Sequence, residues 1–99
     1  MKIAISEQAL SDIENIWLYT VENWSAEQAD RYYDLIFEEI EFISKNFNAG
    51  KSIEYTRKGY RYSKVKSHLI FYRKSTSNEI EIIRVLHQNM DIENRLNDK

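Results

Sequence analysis

Apolar residues recur in steps of three and four from Ala9 onward: Ala9, Leu10, Ile13, Ile16, Trp17, Val21 and Trp24. That period lines them along one face of a helix, with Asp12, Glu14 and Glu22 elsewhere. Thr20 falls within the stripe as a polar member, while Leu18 and Tyr19 lie to its side. Ser6 stands just before the helix, its side-chain oxygen placed to accept from a free N–H of the first turn. The preceding Lys2-Ile3-Ala4-Ile5 reads as a short strand. Ser25 restarts the helical pattern and, with Gln28 three positions on, forms a capping box. The second helix runs through Ala29, Tyr32, Tyr33, Ile36, Phe37, Ile40, Ile43 and Phe47. It closes at Asn48-Ala49-Gly50, where glycine can take a left-handed backbone. Two amphipathic helices so closely joined predict an antiparallel hairpin.

From Gly59 the helical period gives way to that of strands. Tyr60, Tyr62 and Val65 mark a first strand, and residues 68–74 a second with Leu69, Ile70, Phe71 and Tyr72 at its heart. Ser75-Thr76-Ser77-Asn78 predicts a turn. Residues 79–86 form a third strand, with Ile80 and Ile82 set against Ile83 and Val85 on the other face, a pattern that predicts a central, doubly covered strand. Residues 90–96 read as a short or loosely helical end. The order is β-α-α-β-β-β with a final helical turn. It predicts an α+β fold, a helical hairpin packed on one face of a mostly antiparallel sheet. With no proline, two glycines and no repeat, residues 1–99 read as one continuous domain.

Composition narrows the chemistry. A chain of 99 residues, 42% hydrophobic, is large enough to bury a core without cross-links. Having no cysteine, it can hold neither a disulfide nor a thiolate-bound metal. The first residues contain no long apolar run, which predicts no signal peptide, no membrane span and a cytoplasmic location.

The net charge of −2 conceals a division. Residues 1–50 carry three basic side chains (Lys2, Arg31, Lys45) against ten acidic ones, and residues 51–99 carry eleven basic against six acidic. Within 51–74, Lys51, Arg57, Lys58, Arg61, Lys64, Lys66, Arg73 and Lys74 face only Glu54. Such a field attracts an anionic partner, although an ordinary solvated surface also accounts for it.

The two histidines, His68 and His87, lie nineteen positions apart with no H-E-x-x-H pattern, so no metal site is predicted. Nucleophile elbow, phosphate loop and dinucleotide fingerprint are all missing, and no cofactor is expected. RNA cleavage through the 2′-hydroxyl needs only a base, an acid and cations around the phosphate. His87 with Arg61, Arg73 and Arg84 contains those types. The plainer reading takes precedence: Arg84 pairs with an acidic neighbour and His87 caps a strand end. Tyr55, Tyr60, Tyr62 and Tyr72 interleave with the basic stretch, as stacking platforms or as ordinary cross-strand pairs. Packing is favoured for Tyr72.

At the end of the third strand the chain reads I-I-R-V-L-H-Q-N-M-D, residues 82–91. Here it resembles the ParE branch of the RelE/ParE superfamily, toxins of bacterial type II toxin–antitoxin modules. A-L-S-D-I-E-N-I, W-S-A-E-Q-A-D-R-Y-Y, G-Y-R-Y and H-L-I-F-Y-R extend the resemblance, in order, over nearly the whole chain. It implies the β-α-α-β-β-β fold and a growth-arresting toxin that inhibits DNA gyrase by binding, leaning away from an enzyme. RelE-like relatives instead cleave messenger RNA on the ribosome, a role for which His87, Arg84 and Arg61 would serve. A third possibility is a module member that only binds its antitoxin. By position, Arg61, Arg84, His87, Met90 and Asp91 match recurrent family positions. Asn89 stands where the ParE pattern often has arginine, a lost charge that bears on the strength of inhibition. Residues 46–50 also lack the common proline.

The resemblance further implies a hetero-oligomer with a cognate antitoxin, ParD-like or similar, whose acidic C-terminal tail folds onto the toxin. DNA is then met only through the antitoxin. Arg57, Arg61 and Arg73 are expected to draw that tail in, making association sensitive to salt.

Overall fold

The structure, a computed structural model, describes residues 1–90 and 92–97. Its elements are β1 (Lys2–Ile5), α1 (Glu7–Asn23), α2 (Ala26–Lys45), a 3-10 turn (Phe47–Ala49), β2 (Lys51–Ser52), β3 (Arg61–Val65), β4 (His68–Thr76), β5 (Glu79–His87) and α3 (Ile92–Asn97). The five strands form one sheet in the order β1-β5-β4-β3-β2. β1 runs parallel to β5 and every other pairing is antiparallel. This is the α+β arrangement expected from the hydrophobic pattern. Among the described residues no helix is long and apolar enough to cross a membrane.

Both helices start as their caps dictate. Ser6 Oγ accepts from Ala9 N at 3.0 Å, and Ser25 Oγ from Gln28 N at 3.1 Å. The helices lie over the sheet, with Ile36, Ile40 and Ile43 of α2 wholly buried beside Ile70, Ile80 and Ile82. Burying each such side chain contributes about 2 kcal/mol. Trp17 Nε1 donates to Asp30 Oδ1 at 2.9 Å and ties one helix of the hairpin to the other. α1 uses less of its stripe than expected. Ala9 and Ile13 are buried, but Leu10 is half exposed and Trp24 is 71% exposed. The C-terminal part of α1 borders an open groove rather than the core, and Trp24 is one of the groove's walls.

β5 is covered on both faces, but its residues divide differently from strict alternation. Phe71 pairs with Arg84 and Tyr72 with Ile82, so Ile83 has no opposite number. A bulge of this kind places two residues of one strand against one of its neighbour and reverses the alternation beyond it. Val85 therefore joins Ile80 and Ile82 against the helices, while Ile83 and Leu86 face the other way. On that other face Leu86, Phe71, Tyr60 and Ile53 form a second, smaller core that α3 completes with Leu96.

Three boundaries differ from the sequence reading. α2 stops at Lys45, β4 continues through Thr76 so that the turn shrinks to Ser77-Asn78, and the two-residue β2 lacks any periodic signal. Gly50 also has a different reason. Its φ of −74° is open to any residue, so it is no left-handed cap. A Cβ built there would lie 2.0 Å from the Tyr72 hydroxyl, which accepts from Gly50 N at 3.0 Å and donates to Phe47 O at 2.7 Å. Glycine is required by the close approach of a buried tyrosine.

Candidate functional site

β1 ends at Ile5, leaving the outer edge of β5 from Ile83 onward without a neighbouring strand. The start of α1 takes its place. Ser6 Oγ donates to Ile83 O at 2.7 Å, and Val85 N donates to Asp12 Oδ2 at 3.0 Å. The same carboxylate receives Arg84 in a forked pair, Nε to Oδ2 at 2.8 Å and Nη2 to Oδ1 at 3.0 Å. The Arg84 and Asp12 side chains are only 12% and 14% exposed. Asp12 thus satisfies an open sheet edge and neutralises a nearly buried arginine together, and two parallel bonds fix the guanidinium's orientation. Arg84 Nη1 also lies 3.4 Å from the carbonyl of Arg95.

Beyond this junction the side of α1 and the ends of β4 and β5 enclose an open groove of about 840 Å³. Tyr19 and Trp24 stand on its helical wall, His68 and His87 at the strand ends, and Met90 at its lip. A smaller groove of about 480 Å³ shares Thr20, Trp24, Tyr32 and Ser67 with it and runs on toward Arg31 and Lys66. Tyr19 of α1 and Trp24 just after it are 64% and 71% exposed, large apolar surfaces on the groove's helical wall.

The histidines are direct partners across the β4–β5 ladder. Their rings meet edge to face, with centroids 5.3 Å apart. Two features bring this about. The Lys66-Ser67 turn, with Lys66 at φ 56°, starts β4 at His68. The bulge at Ile83 then puts His87 on the same face as Val85, toward the helices.

Each ring has one nitrogen committed. His68 Nδ1 is 2.6 Å from the Tyr32 hydroxyl, which is 2.9 Å from Val65 O. One hydroxyl proton serves both contacts if His68 Nδ1–H donates to Tyr32, which donates to Val65 O. His87 Nδ1 accepts from Asn89 N at 3.1 Å. Burial, reinforced by repulsion from His87 and opposed by Asp12, lowers the His68 imidazole from 6.5 to about 4, so it is neutral at physiological pH. Burial likewise raises the Tyr32 hydroxyl above its ordinary value of 10.

Of the arginines singled out from the sequence, Arg84 lines the same groove as His87 but is tied to Asp12, and Arg61, Arg57 and Arg73 lie elsewhere. Arg61 lies opposite Tyr72, at the far end of β3 from the strand ends that carry the histidines. Four residues of strand make that separation roughly 13 Å. Its Nη1 donates to Gly50 O at 2.7 Å, and its guanidinium sits over the Phe47 ring. Arg57 and Arg73 flank Tyr60 from the second face. Arg57 Nη2 holds the Leu96 carbonyl at 2.8 Å, and Arg73 pairs with Glu81 at 3.1 Å. Met90 is exposed at the groove; Asp91 lies outside the described residues. The basic stretch therefore splits by residue type. Its arginines are partly buried and engaged, whereas Lys51, Lys58, Lys64, Lys66 and Lys74 are exposed, Lys74 with its ammonium over the Phe47 ring. Tyr72 is core, as packing predicted; Tyr60 is core as well, while Tyr55 stands 89% exposed. Asp12, Tyr32 and His68 escaped the sequence reading as members of this site, because their partners are fixed by a turn and a bulge with no local signature.

Residues 3–92 match a family described as the ParE toxin of the type II toxin–antitoxin system, parDE. Over 92 residues the chain is 34% identical to Toxin ParE1 of Mycobacterium tuberculosis, spanning 93% of this chain and 94% of the relative. Over 87 residues it is 39% identical to Toxin ParE1 of Caulobacter vibrioides, spanning 88% of each. Among solved structures it is similar to the chromosomal ParDE TA system from P. aeruginosa, with a TM-score of 0.76 at 20% identity over 88% of this chain and 95% of that one. At that identity the likeness speaks to the fold.

Proposed function

The chain belongs to the ParE toxin family of type II toxin–antitoxin systems, and from that premise we propose that it arrests bacterial growth by binding DNA gyrase until a cognate antitoxin neutralises it. The observation that favours binding over RNA cleavage is the Asp12–Arg84 pair. A cation that steadies a phosphate in the transition state must be aimed at the developing charge. Arg84 is instead held by a carboxylate against the edge of β5, and Arg61 stands at the other end of the sheet. Around His87 the groove has the aromatic walls of Tyr19 and Trp24, with Arg84 tethered to Asp12 and Arg95 at its side, a lining suited to a protein segment.

The antitoxin is ParD-like, with an acidic tail attracted by the exposed lysines of the sheet half, and DNA is reached only through it. The toxin then exists in resting cells as a hetero-oligomer in the cytoplasm. Purified toxin is expected to block supercoiling by gyrase in vitro. Undiminished supercoiling at excess toxin, with gyrase shown to be active, overturns the reading.

One observation keeps ribosome-dependent RNA cleavage as the second reading: two histidines face each other in a groove. It requires a messenger cut in a translating extract and spared by His87→Ala. An intact messenger excludes it. Growth arrest on induction without the partner gene separates both from a module member that only binds antitoxin.

A further inference from the structure

We propose that the outer edge of β1 pairs with the same edge of a second copy of this chain, across a two-fold axis at Ala4, joining the two sheets into one. β1 is the outermost strand of the sheet and runs parallel to β5. Lys2 N donates to Asn78 O at 2.9 Å, and Ser6 N to Ile82 O at 3.0 Å. Successive residues of a strand direct their backbone groups to opposite sides. Ile3 and Ile5 therefore turn their N–H and C=O groups away from β5, where no described strand lies.

An unpaired edge is a template for another chain, and proteins commonly blunt it with proline, a bulge, charge or a covering loop. β1 has no proline, its register with β5 is unbroken, and its one charge, Lys2, stands at its start. Ile3 shares a face with Ile5, which packs against the main core, yet Ile3 is 41% exposed.

The residues along this edge select a second copy as its occupant. Antiparallel pairing about Ala4 sets Ile3 against Ile5 of the other copy, and Ile5 against its Ile3, with four backbone hydrogen bonds between them. Ala4 then meets Ala4 at a non-hydrogen-bonded position, where Cα atoms approach to about 4.5 Å and a small side chain fits best. On the core side isoleucine covers isoleucine. The two Lys2 residues stay about 14 Å apart along the strands. Each falls beside Ser6 and Glu7 of the other copy, at the acidic first turn of α1, so charge favours the same register. Because both copies use the same patch, the contact closes at two. So short a strand pair buries less than the roughly 800 Å² per partner of a standard interface, and the dissociation constant is expected on the order of 100 µM.

The test is sedimentation equilibrium of the full chain from micromolar to millimolar concentration, with amide hydrogen exchange on the same samples. A monomer–dimer equilibrium is expected. Exchange at Ile3 and Ile5 should slow as concentration rises, while Lys2 and Ser6, already bonded within the sheet, should not respond. Ala4→Lys places a lysine beside Glu81 in the monomer but sets like charges face to face in the dimer. It should weaken dimerisation at least tenfold, as should Ala4→Glu, and an equal mixture of the two variants should pair again. Ile3→Pro removes an outward N–H and no bond to β5, and should leave a folded monomer. A chain still monomeric at millimolar concentration, a dimer without slowed exchange at Ile3 and Ile5, or folded charge variants that do not pair on mixing would each overturn the proposal. So would slowed exchange at Ile3 and Ile5 that requires the antitoxin, since the edge then belongs to a different partner. Should a variant not fold, the exchange pattern of the unaltered chain decides it. None of these readouts depends on gyrase.

Discussion

Asp12 of α1 and Arg84 of β5, 72 positions apart in sequence, are joined by two hydrogen bonds of 2.8 and 3.0 Å at a site nearly closed to water. The pair does the work of a missing strand, since the carboxylate also takes the Val85 amide beyond the end of β1. Removing one member of such a pair strands the other charge away from solvent. Asp12→Ala is therefore expected to cost about 3 kcal/mol. Arg84→Met, which leaves Asp12 its backbone partner, is expected to cost less. Urea unfolding of both variants and of the double variant measures the coupling; additive losses would show that the pair contributes nothing of its own.

Tyr72 and Gly50 fasten the exit of the helical hairpin to the sheet. Tyr72→Phe leaves the Gly50 amide and the Phe47 carbonyl without their shared partner, at a cost of about 2 kcal/mol. Gly50→Ala is expected to be at least as damaging, because the added methyl meets the tyrosine ring and hydroxyl. In the Tyr72→Phe background the alanine should be better tolerated. Thermal unfolding of the three variants checks this non-additivity.

His68 makes stability depend on pH. Below about pH 6.5 the unfolded chain takes up a proton at this position that the folded chain refuses until about pH 4. Stability from this residue is thus fully present above that window and declines as pH falls through it. Urea midpoints measured from neutral pH down to about pH 4.5 should fall more steeply for the unaltered chain than for His68→Gln. Parallel profiles would contradict the assignment.

The division between engaged arginines and exposed lysines changes what charge reversal should do. Glutamate at Lys64 and Lys66 is expected to slow association with the antitoxin severalfold at low salt, with little effect on stability, and the difference should shrink as salt rises. Arg57→Glu is expected instead to destabilise the fold by loosening α3, whose Leu96 carbonyl it holds. Stopped-flow association alongside thermal unfolding distinguishes the two kinds of effect.

The order of elements was legible because each has a local cause. Apolar steps of three and four dictate α1 and α2, serine caps start them, and apolar runs between turn residues dictate β4 and β5. The faces of β5 were not legible, since one residue without an opposite number at Ile83 reverses the alternation on which such a reading depends. Gly50 was identified as special for the wrong reason, its constraint coming from a tyrosine 22 positions away.

What the sequence determined by itself is the architecture and its uneven charge, properties carried by the spacing and kind of neighbouring residues. What only the tertiary structure decided is the grouping of side chains from distant segments. It joined Asp12 to Arg84 and turned the rings of His68 and His87 toward each other. It also drew the arginines into structural bonds and left the lysines outside. Such pairings depend on strand register, on one bulge and on where β1 stops, and none of these is written in the local period of the chain.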